Sequence, residues 1–351
     1  MRLVSVVVAV GVVTASVIAI AAASTGDATP QRLDAKIITA GNGKIALVDP
    51  ASSWLISVNP DGSGRRLLAR CGRSFTACVI RAFAWSPNGR RLLFFRASGL
   101  RTYSSYSLYV VEADGHNVRR LVSCGHCGLI VGSRAAWSPN GSSIAFSATN
   151  GLFVVDVNGG LARRLTRGLD FDPAWSPNGS KIVFSRGDSL YAVNPDGSAL
   201  TKLTSVGRHA ADPAWSPDGK QLTFDGPDQI YVVDADGSHQ RLLLDGSRGS
   251  GPGTPSWSPD GTRILFFNTP GTPGAFTAEV WVMKPDGTDQ RRLYHSGCCV
   301  GSWFPPIWSP NGKSIAISAD SAGGVLVMNS DGTDGRTLSR RPSDIAWQPI
   351  R

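Results

Sequence analysis

The sequence predicts an all-β fold, a β-propeller of seven blades, with six blades as the alternative count. Three observations predict it: a Trp-x-Pro tripeptide recurs at a nearly constant spacing, an Asp-Gly or Asn-Gly pair recurs with it, and no window has helical periodicity. Spacings of 52, 38, 40, 42, 51 and 39 residues are typical of propeller blades. Each blade is a small sheet that needs its neighbours to bury its faces. The repeated tryptophans are Trp85, Trp137, Trp175, Trp215, Trp257, Trp308 and Trp347.

One repeat, residues 172–204, shows how a blade is built. Its first strand ends at Trp175 in the turn Ser-Pro-Asn-Gly, where Pro and Gly suit the backbone angles of the turn. The pair Asp196-Gly197, between two apolar runs, predicts a hairpin from the third strand to the fourth. The four strands are predicted at 173–175, 181–185, 190–193 and 200–203.

The first and last blades share one repeat. The hairpin Asp61-Gly62 precedes the first Trp-x-Pro, and the last one, at Trp347, follows the last hairpin. Six repeats are therefore complete, and the seventh is split between the two ends of the chain. We expect the C-terminal strand, 344–347, to pair into the N-terminal blade and to close the ring, because closure removes exposed sheet edges.

The repeat resembles that of a known family. The turn Trp-Ser-Pro-Asp-Gly, the hairpin from Ile230 to Gly237 and the Arg-Leu that follows are similar to the WD40-like repeat of TolB-like β-propellers. The resemblance covers about residues 40 to 351. It implies a binding scaffold of the bacterial cell envelope; TolB itself has six blades, and similar blades form the non-catalytic domain of prolyl oligopeptidases.

The N-terminal part of the chain predicts export. Residues 1–23 contain a long uncharged apolar run with an Ala-rich end, which fits a cleaved signal peptide and also a retained membrane anchor. Residues 24–35 are predicted to be a polar tether, and 36–351 the propeller. An extracytoplasmic monomer, secreted or anchored, is expected in either case.

Six cysteines fall in pairs between a fourth strand and the next Trp strand. An even count in an exported chain favours disulfides. For the second pair, which encloses His126, redox activity and metal binding are the alternatives. The third pair is adjacent in sequence, so a strained bridge, bonds to another loop and free thiols all stay open. The pairs are Cys71 and Cys78, Cys124 and Cys127, Cys298 and Cys299.

The cysteine-bearing loops predict a functional face, because function concentrates on loops held by a rigid scaffold. The residue three places before each Trp should lie on this face, at the mouth of the central channel. The candidates for binding there are Asp172, Asp212, Asp344 and Arg134. The three carboxylates could hold a cation, or they could simply begin strands as turn-capping residues.

No catalytic residue, metal or cofactor is assigned from the sequence, which has no recognisable nucleophile, zinc or phosphate-loop motif. A non-enzymatic scaffold that binds a protein or polymer is the first hypothesis. A hydrolase or lyase that uses the paired carboxylates at the channel mouth is the alternative.

The net charge of +9 comes largely from arginines at the start of the fourth, outermost strands. Cations at that edge discourage pairing with other sheets, and they could attract an anionic envelope polymer or lipid. Nucleic acid is not an expected partner outside the cell.

Overall fold

Strands and turns make up the part of the chain that the computed structural model describes. It describes residues 43–49, 54–70, 78–98, 106–123, 134–204, 209–246, 251–269, 279–295, 304–319, 324–339 and 345–349, with backbone alone at 78, 79, 82, 83, 304 and 319. All of them lie in the unit Lys36–Arg351. Within these residues, no helix is long and apolar enough to cross a bilayer.

The described residues form 28 strands, which pair into seven antiparallel sheets of four. We name the sheets blades A to G. From the innermost strand outward, blade A is β28-β1-β2-β3, blade B is β4 to β7, and each later blade takes the next four strands. The strands of blades A to C are β28 (Ile345–Trp347), β1 (Ile45–Val48), β2 (Leu55–Val58), β3 (Arg66–Ala69), β4 (Cys78–Trp85), β5 (Arg91–Ser98), β6 (Tyr106–Glu112), β7 (Arg119–Ser123), β8 (Ala135–Trp137), β9 (Ser143–Ala148), β10 (Gly151–Asp156) and β11 (Arg163–Arg164). Those of blades D and E are β12 (Phe171–Trp175), β13 (Ile182–Arg186), β14 (Ser189–Val193), β15 (Thr201–Lys202), β16 (Ala211–Trp215), β17 (Gln221–Gly226), β18 (Gln229–Asp234) and β19 (Arg241–Asp245). Those of blades F and G are β20 (Gly251–Trp257), β21 (Ile264–Thr269), β22 (Glu279–Met283), β23 (Arg291–His295), β24 (Phe304–Trp308), β25 (Ser314–Ala319), β26 (Gly324–Asn329) and β27 (Arg336–Ser339).

The sheets form a seven-bladed propeller, which confirms the predicted fold and the count of seven. Each innermost strand packs against those of the two adjacent blades, so the seven strands surround a central channel. The ring is closed as predicted: β28 pairs with β1 in the register Ile45 to Trp347 and Leu47 to Ile345. Gln348 strengthens the closure, because its Nε2 donates to the Gly89 carbonyl of blade B over 2.6 Å.

Alternating strand direction gives the propeller two different faces. The turn face carries the turns after the Trp strands and the Asp-Gly hairpins. The loop face carries the connections from second to third strands and from each fourth strand to the next blade. The hydrophobic core lies between blades, where a phenylalanine at one position of the second strand is fully buried in five of them: Phe94, Phe146, Phe184, Phe224 and Phe266.

An inner ring of tryptophan hydrogen bonds links the blades. In five blades the Trp Nε1 donates to a carbonyl of the preceding blade over 3.0 to 3.2 Å. Trp347 instead donates to Gly43 within blade A, over 3.0 Å. Trp257 has a buried Nε1 without a partner among the described residues. The carbonyl that it would use by analogy, that of Ala214, accepts a hydrogen bond from Thr223.

An outer ring of arginines links the same blades. The residue five places after the Asp or Asn of each hairpin is Arg in six blades and Thr201 in blade D. Five of these arginines donate to a carbonyl in the hairpin turn of the next blade; Arg163, for example, reaches Pro195 over 2.5 Å. The five are Arg66, Arg119, Arg163, Arg241 and Arg336. The arginines at the sheet edge therefore have a structural role that the sequence analysis did not foresee.

Candidate functional site

The residue three places before the Trp is held in an unusual backbone conformation in three successive blades. Asp172, Asp212 and Thr254 have φ angles of 48°, 48° and 51°. Each lies where the register of the first strand shifts against the second, so each belongs to a β-bulge. Positive φ is uncommon outside glycine and is a clear outlier for a β-branched residue such as Thr. Strain of this kind concentrates at functional sites.

These bulges bring three of the four predicted candidates together at the channel mouth on the loop face. Nη1 of Arg134 lies 2.7 Å from Oδ1 of Asp212. Arg134 begins blade C and Asp212 belongs to blade E, so the ion pair passes the first strand of blade D. Asp172 lies on that strand, and its carboxyl accepts a hydrogen bond from the Arg134 backbone amide. Asp344, the fourth candidate, lies outside the described residues.

A fourth side chain of the cluster, Asp225, was missed by the sequence analysis. It lies on the second strand of blade E, opposite Ala211, and not at the position before a Trp. In the other blades the matching position of the second strand holds an apolar or small residue, such as Phe95, Ser147 or Ser185. An alignment of the seven repeats would have shown Asp225 as the only charged residue at its position.

Burial and mutual repulsion raise the pKa values of two of the carboxyls, which makes them weaker acids than an ordinary aspartate. Desolvation, and then the charge of Asp212, raise the pKa of Asp172 to about 6, against the opposing effects of Arg134 and His209. Desolvation, and then the charge of Asp212, raise the pKa of Asp225 to about 7. Each shift reflects a carboxylate whose charge is poorly compensated. Ionisable groups with strongly perturbed pKa values are candidates for function.

Two polar atoms beside this cluster lack partners. Oδ1 of Asp225 and Oγ1 of Thr254 are buried and make no hydrogen bond within the described structure. An unpaired buried polar atom costs about 1–3 kcal/mol. Together with three carboxylates and one arginine, these atoms form a site that is acidic at neutral pH and has unused hydrogen-bonding capacity. We call the set Arg134, Asp172, Asp212, Asp225 and Thr254 the mouth cluster.

The remaining sequence predictions at this face stay predictions. Apart from the backbone of Cys78, the cysteine residues lie outside the described residues. Among the residues that are described, no group of three or more His, Cys, Asp or Glu side chains is placed to hold a metal ion.

Comparison with known proteins identifies the repeat. A family model described as the TolB beta propeller domain matches residues 131–295 and 198–346, which together span more than half of the chain. No curated protein matches the sequence.

Solved structures share the fold at low sequence identity. TolB from Acinetobacter baumannii is 19% identical, with a TM-score of 0.51 over 79% of this chain and 67% of that chain. The oligogalacturonate lyase of Vibrio parahaemolyticus is 14% identical, with a TM-score of 0.60 over 86% and 87%. An oligogalacturonate lyase in complex with manganese is also 14% identical, with a TM-score of 0.61 over 86% of both chains. The blades, the closure and the family match agree, and the chain belongs to the TolB β-propeller family.

Proposed function

We propose that this chain is an exported, non-enzymatic propeller that binds a basic segment of a protein or polymer of the bacterial cell envelope at its channel mouth. The mouth cluster carries the proposal. Its carboxylates outnumber its single arginine, and two of its polar atoms are buried without partners. A lysine or arginine side chain placed there would compensate the charge and satisfy the unpaired oxygens.

The backbone of the cluster suits binding. Asp172, Asp212 and Thr254 are held by bulges in the innermost strands rather than by long loops. Sites built on rigid elements lose little conformational entropy when a partner binds. The proposed export follows from the apolar run in residues 1–23 and from the resemblance to envelope propellers, and this part of the proposal is independent of the mouth cluster.

A second candidate function, a hydrolase or lyase, is favoured by one observation. The pKa values of about 6 for Asp172 and about 7 for Asp225 allow Asp225 to be protonated while Asp172 is ionised, between these two pH values. An acid and a base of this kind, close together, are what acid–base catalysis requires. However, an acidic site disfavours a polyanionic substrate such as oligogalacturonate, because like charges repel.

The binding proposal is tested by titrating the purified chain with an oligolysine peptide and, separately, with an oligoglutamate peptide, by calorimetry at low ionic strength. We expect the oligolysine to bind at the mouth cluster, whereas any oligoglutamate that binds the exposed cations of this basic chain should be unaffected by substitutions in the mouth cluster. At pH 8, above the pKa values of about 6 and about 7 for Asp172 and Asp225, the double substitution Asp172→Asn with Asp225→Asn removes two charges and should weaken oligolysine binding at least tenfold. Asp228→Asn changes an exposed aspartate of the same blade, and this control should bind as the wild type does. Equal affinity of the double variant and the wild type contradicts the proposal.

The enzyme alternative is tested separately with oligogalacturonate and with simple lactones. Turnover by the wild type that is lost in the Asp172→Asn variant would establish the alternative. Absence of turnover, together with oligolysine binding, leaves the scaffold function standing.

A further inference from the structure

The basic rim on the turn face contains two kinds of cation. The arginines of the outer ring are engaged, because they donate to the hairpin turn of the next blade. The next position along the fourth strand is a cation in four blades. In blade F it is Arg292, which pairs with Glu279 over 2.8 Å. In the other three its side chain is exposed and makes no hydrogen bond or ion pair with any described residue: Arg120, Arg164 and Lys202.

Exposed apolar side chains accompany these free cations. Of the five large apolar residues that are exposed in the described structure, four lie at or just before the start of a fourth strand: Val118, Leu161, Leu200 and Leu242. They belong to blades B, C, D and E. Single exposed apolar residues are normal, but recurrence at one edge of four successive blades is not. The free cations and the apolar residues therefore share the rim of blades B to D.

The hairpin of blade C differs from the other six. In those six, the residue three places after the Asp has positive φ: Gly64, Asn117, Ala199, His239, Asp289 and Asp334. In blade C the turn is Asn158-Gly159-Gly160-Leu161, and this positive φ falls one residue earlier, on Gly160, at 117°. The four turn residues include no carboxylate, the nearest being that of Asp156, which accepts a hydrogen bond from the Asn158 amide over 2.6 Å. Leu161 is 99% exposed at the tip of the turn. Departures of one repeat from a shared rule are expected at functional positions.

We propose that the rim of blades B to D, with the blade C hairpin at its centre, docks onto a lipid bilayer surface rich in anionic headgroups. Arg120, Arg164 and Lys202 would lie at the level of the lipid phosphates, and Leu161 would enter the boundary between headgroups and acyl chains. Peripheral membrane proteins combine these two contributions, apolar insertion and attraction to anionic lipid.

Charge places the contact at blade C. The hairpins of the other blades each carry an aspartate at the corresponding position, and hydrogen bonds from neighbouring Ser or Thr groups lower the pKa of several of them, including Asp196 and Asp236. An ionised aspartate in the turn opposes close contact with anionic lipid, and only in blade C is that turn position a neutral residue, Asn158. The blade C turn can therefore come closest to the bilayer, with the cations of blades B and D on either side. The exposed leucine distinguishes a bilayer from a soluble polyanion, because a polyanion offers no apolar phase in which to bury it.

The proposal does not depend on the function of the mouth cluster. The blade C hairpin lies on the turn face, whereas the mouth cluster lies on the loop face. A chain docked in this way would leave its channel mouth accessible to a partner.

The experiment is hydrogen–deuterium exchange of the full chain, alone and with vesicles of phosphatidylglycerol and phosphatidylethanolamine, or of phosphatidylcholine only. This readout reports on residues 157–164 directly, so insertion of the apolar residues 3–23 into the vesicles does not obscure it. We expect slower exchange at 157–164 with the anionic vesicles and no change with phosphatidylcholine.

Substitutions separate the two contributions. Leu161→Asp should abolish the protection. Replacing Arg120, Arg164 and Lys202 together by Gln should raise the lipid concentration that gives half-maximal protection about a hundredfold, since each cation contributes about fivefold. The matched control is Leu169→Asp, because Leu169 is 57% exposed on the loop face, and this variant should behave as the wild type does.

The last comparison replaces the vesicles with inorganic polyphosphate, a soluble polyanion. Protection of 157–164 by polyphosphate that persists in the Leu161→Asp variant would show that the rim binds a soluble polyanion, and would overturn the membrane proposal. Equal protection by both kinds of vesicle, or protection by neither, would overturn it as well.

Discussion

Replacing Asp225 by Asn should stabilise the propeller, and the gain should depend on pH. Burial and the neighbouring Asp212 raise the pKa of Asp225 to about 7 from an ordinary 3.8. The folded state therefore binds the proton more tightly than the unfolded state does. Its stability is greatest below the unfolded pKa and falls as pH rises through about 7. Three pKa units correspond to about 4 kcal/mol, and because the three carboxylates share the repulsion, we expect about 2–4 kcal/mol.

The assay is thermal unfolding of the wild type and the Asp225→Asn variant at pH 4 and pH 8. At pH 8 the ionised carboxylate is buried in the wild type, so the variant should melt higher by roughly 3–6 °C for a domain of this size. At pH 4 the folded carboxyl is protonated and the unfolded one, with its ordinary pKa of 3.8, is close to half-protonated. Only about 0.6 kcal/mol of the charge effect then remains, and the melting temperatures should differ by about 1 °C or less. The control is Asp228→Asn, an exposed aspartate in the same blade, which should shift neither curve.

Two results would refute this reasoning. An equal gain at both pH values would mean that Asn improves packing rather than removing a buried charge. A loss at pH 8 would mean that the ionised Asp225 is stabilised by its surroundings, and the weak-acid description of the mouth cluster would then be wrong.

Three further predictions concern the links between blades. Thr201→Arg should supply the missing member of the outer ring and raise the free energy of unfolding by about 1 kcal/mol in urea titrations, whereas Thr201→Met should not. Thr223→Val frees the Ala214 carbonyl to accept a hydrogen bond from the Trp257 indole, so the stability of this variant should be unchanged or higher. The comparison is Thr166→Val, which removes a hydroxyl that accepts a hydrogen bond from the Leu152 amide over 2.9 Å. This variant should lose about 1–3 kcal/mol of stability. Deletion of residues 344–351 removes β28 and should lower stability by at least the ~3–5 kcal/mol of a buried Trp; an unchanged melting temperature would contradict the closure.

The fold was predictable because each repeat contains the residues that define its own turns and strands. A turn that needs Pro and Gly, a hairpin that needs Asp-Gly and two apolar strands recur in register, so chance agreement across seven copies is negligible. The closure was predictable from the same repeat. The N-terminal blade lacks a Trp strand, and the C-terminal Trp strand lacks the other three strands of a blade, so the two together make one complete blade. Pairing of Ile45 with Trp347 is the result.

The site was predictable only in part. Counting back three residues from each Trp locates Arg134, Asp172 and Asp212, because the residue at this position lies at the start of the innermost strand. It cannot locate Asp225, which reaches the mouth from the second strand of blade E. The raised pKa values were not predictable at all, because they depend on how deeply the neighbouring blades bury these carboxyls.

The outer ring shows a different limit. The repeated arginines were visible in the sequence, and so was Thr201 in their column. A row of cations at a sheet edge suggests only that the edge is protected from pairing. That five of the six guanidinium groups reach the hairpin of the next blade, as Arg163 reaches Pro195, follows from the spacing between blades, which no single repeat encodes.

The departures from the repeat fall on neighbouring blades and on both faces. On the loop face they are Asp172, Asp212 and Thr254 in strained bulges, with Asp225 beside them, in blades D to F. On the turn face the departure is the hairpin of blade C, around Leu161. The regular blades supply most of the stability of the ring, so it can tolerate the cost of strained, unpaired or exposed groups at these few positions. If both proposals hold, one side of the ring attaches to a membrane while the opposite mouth receives a basic partner.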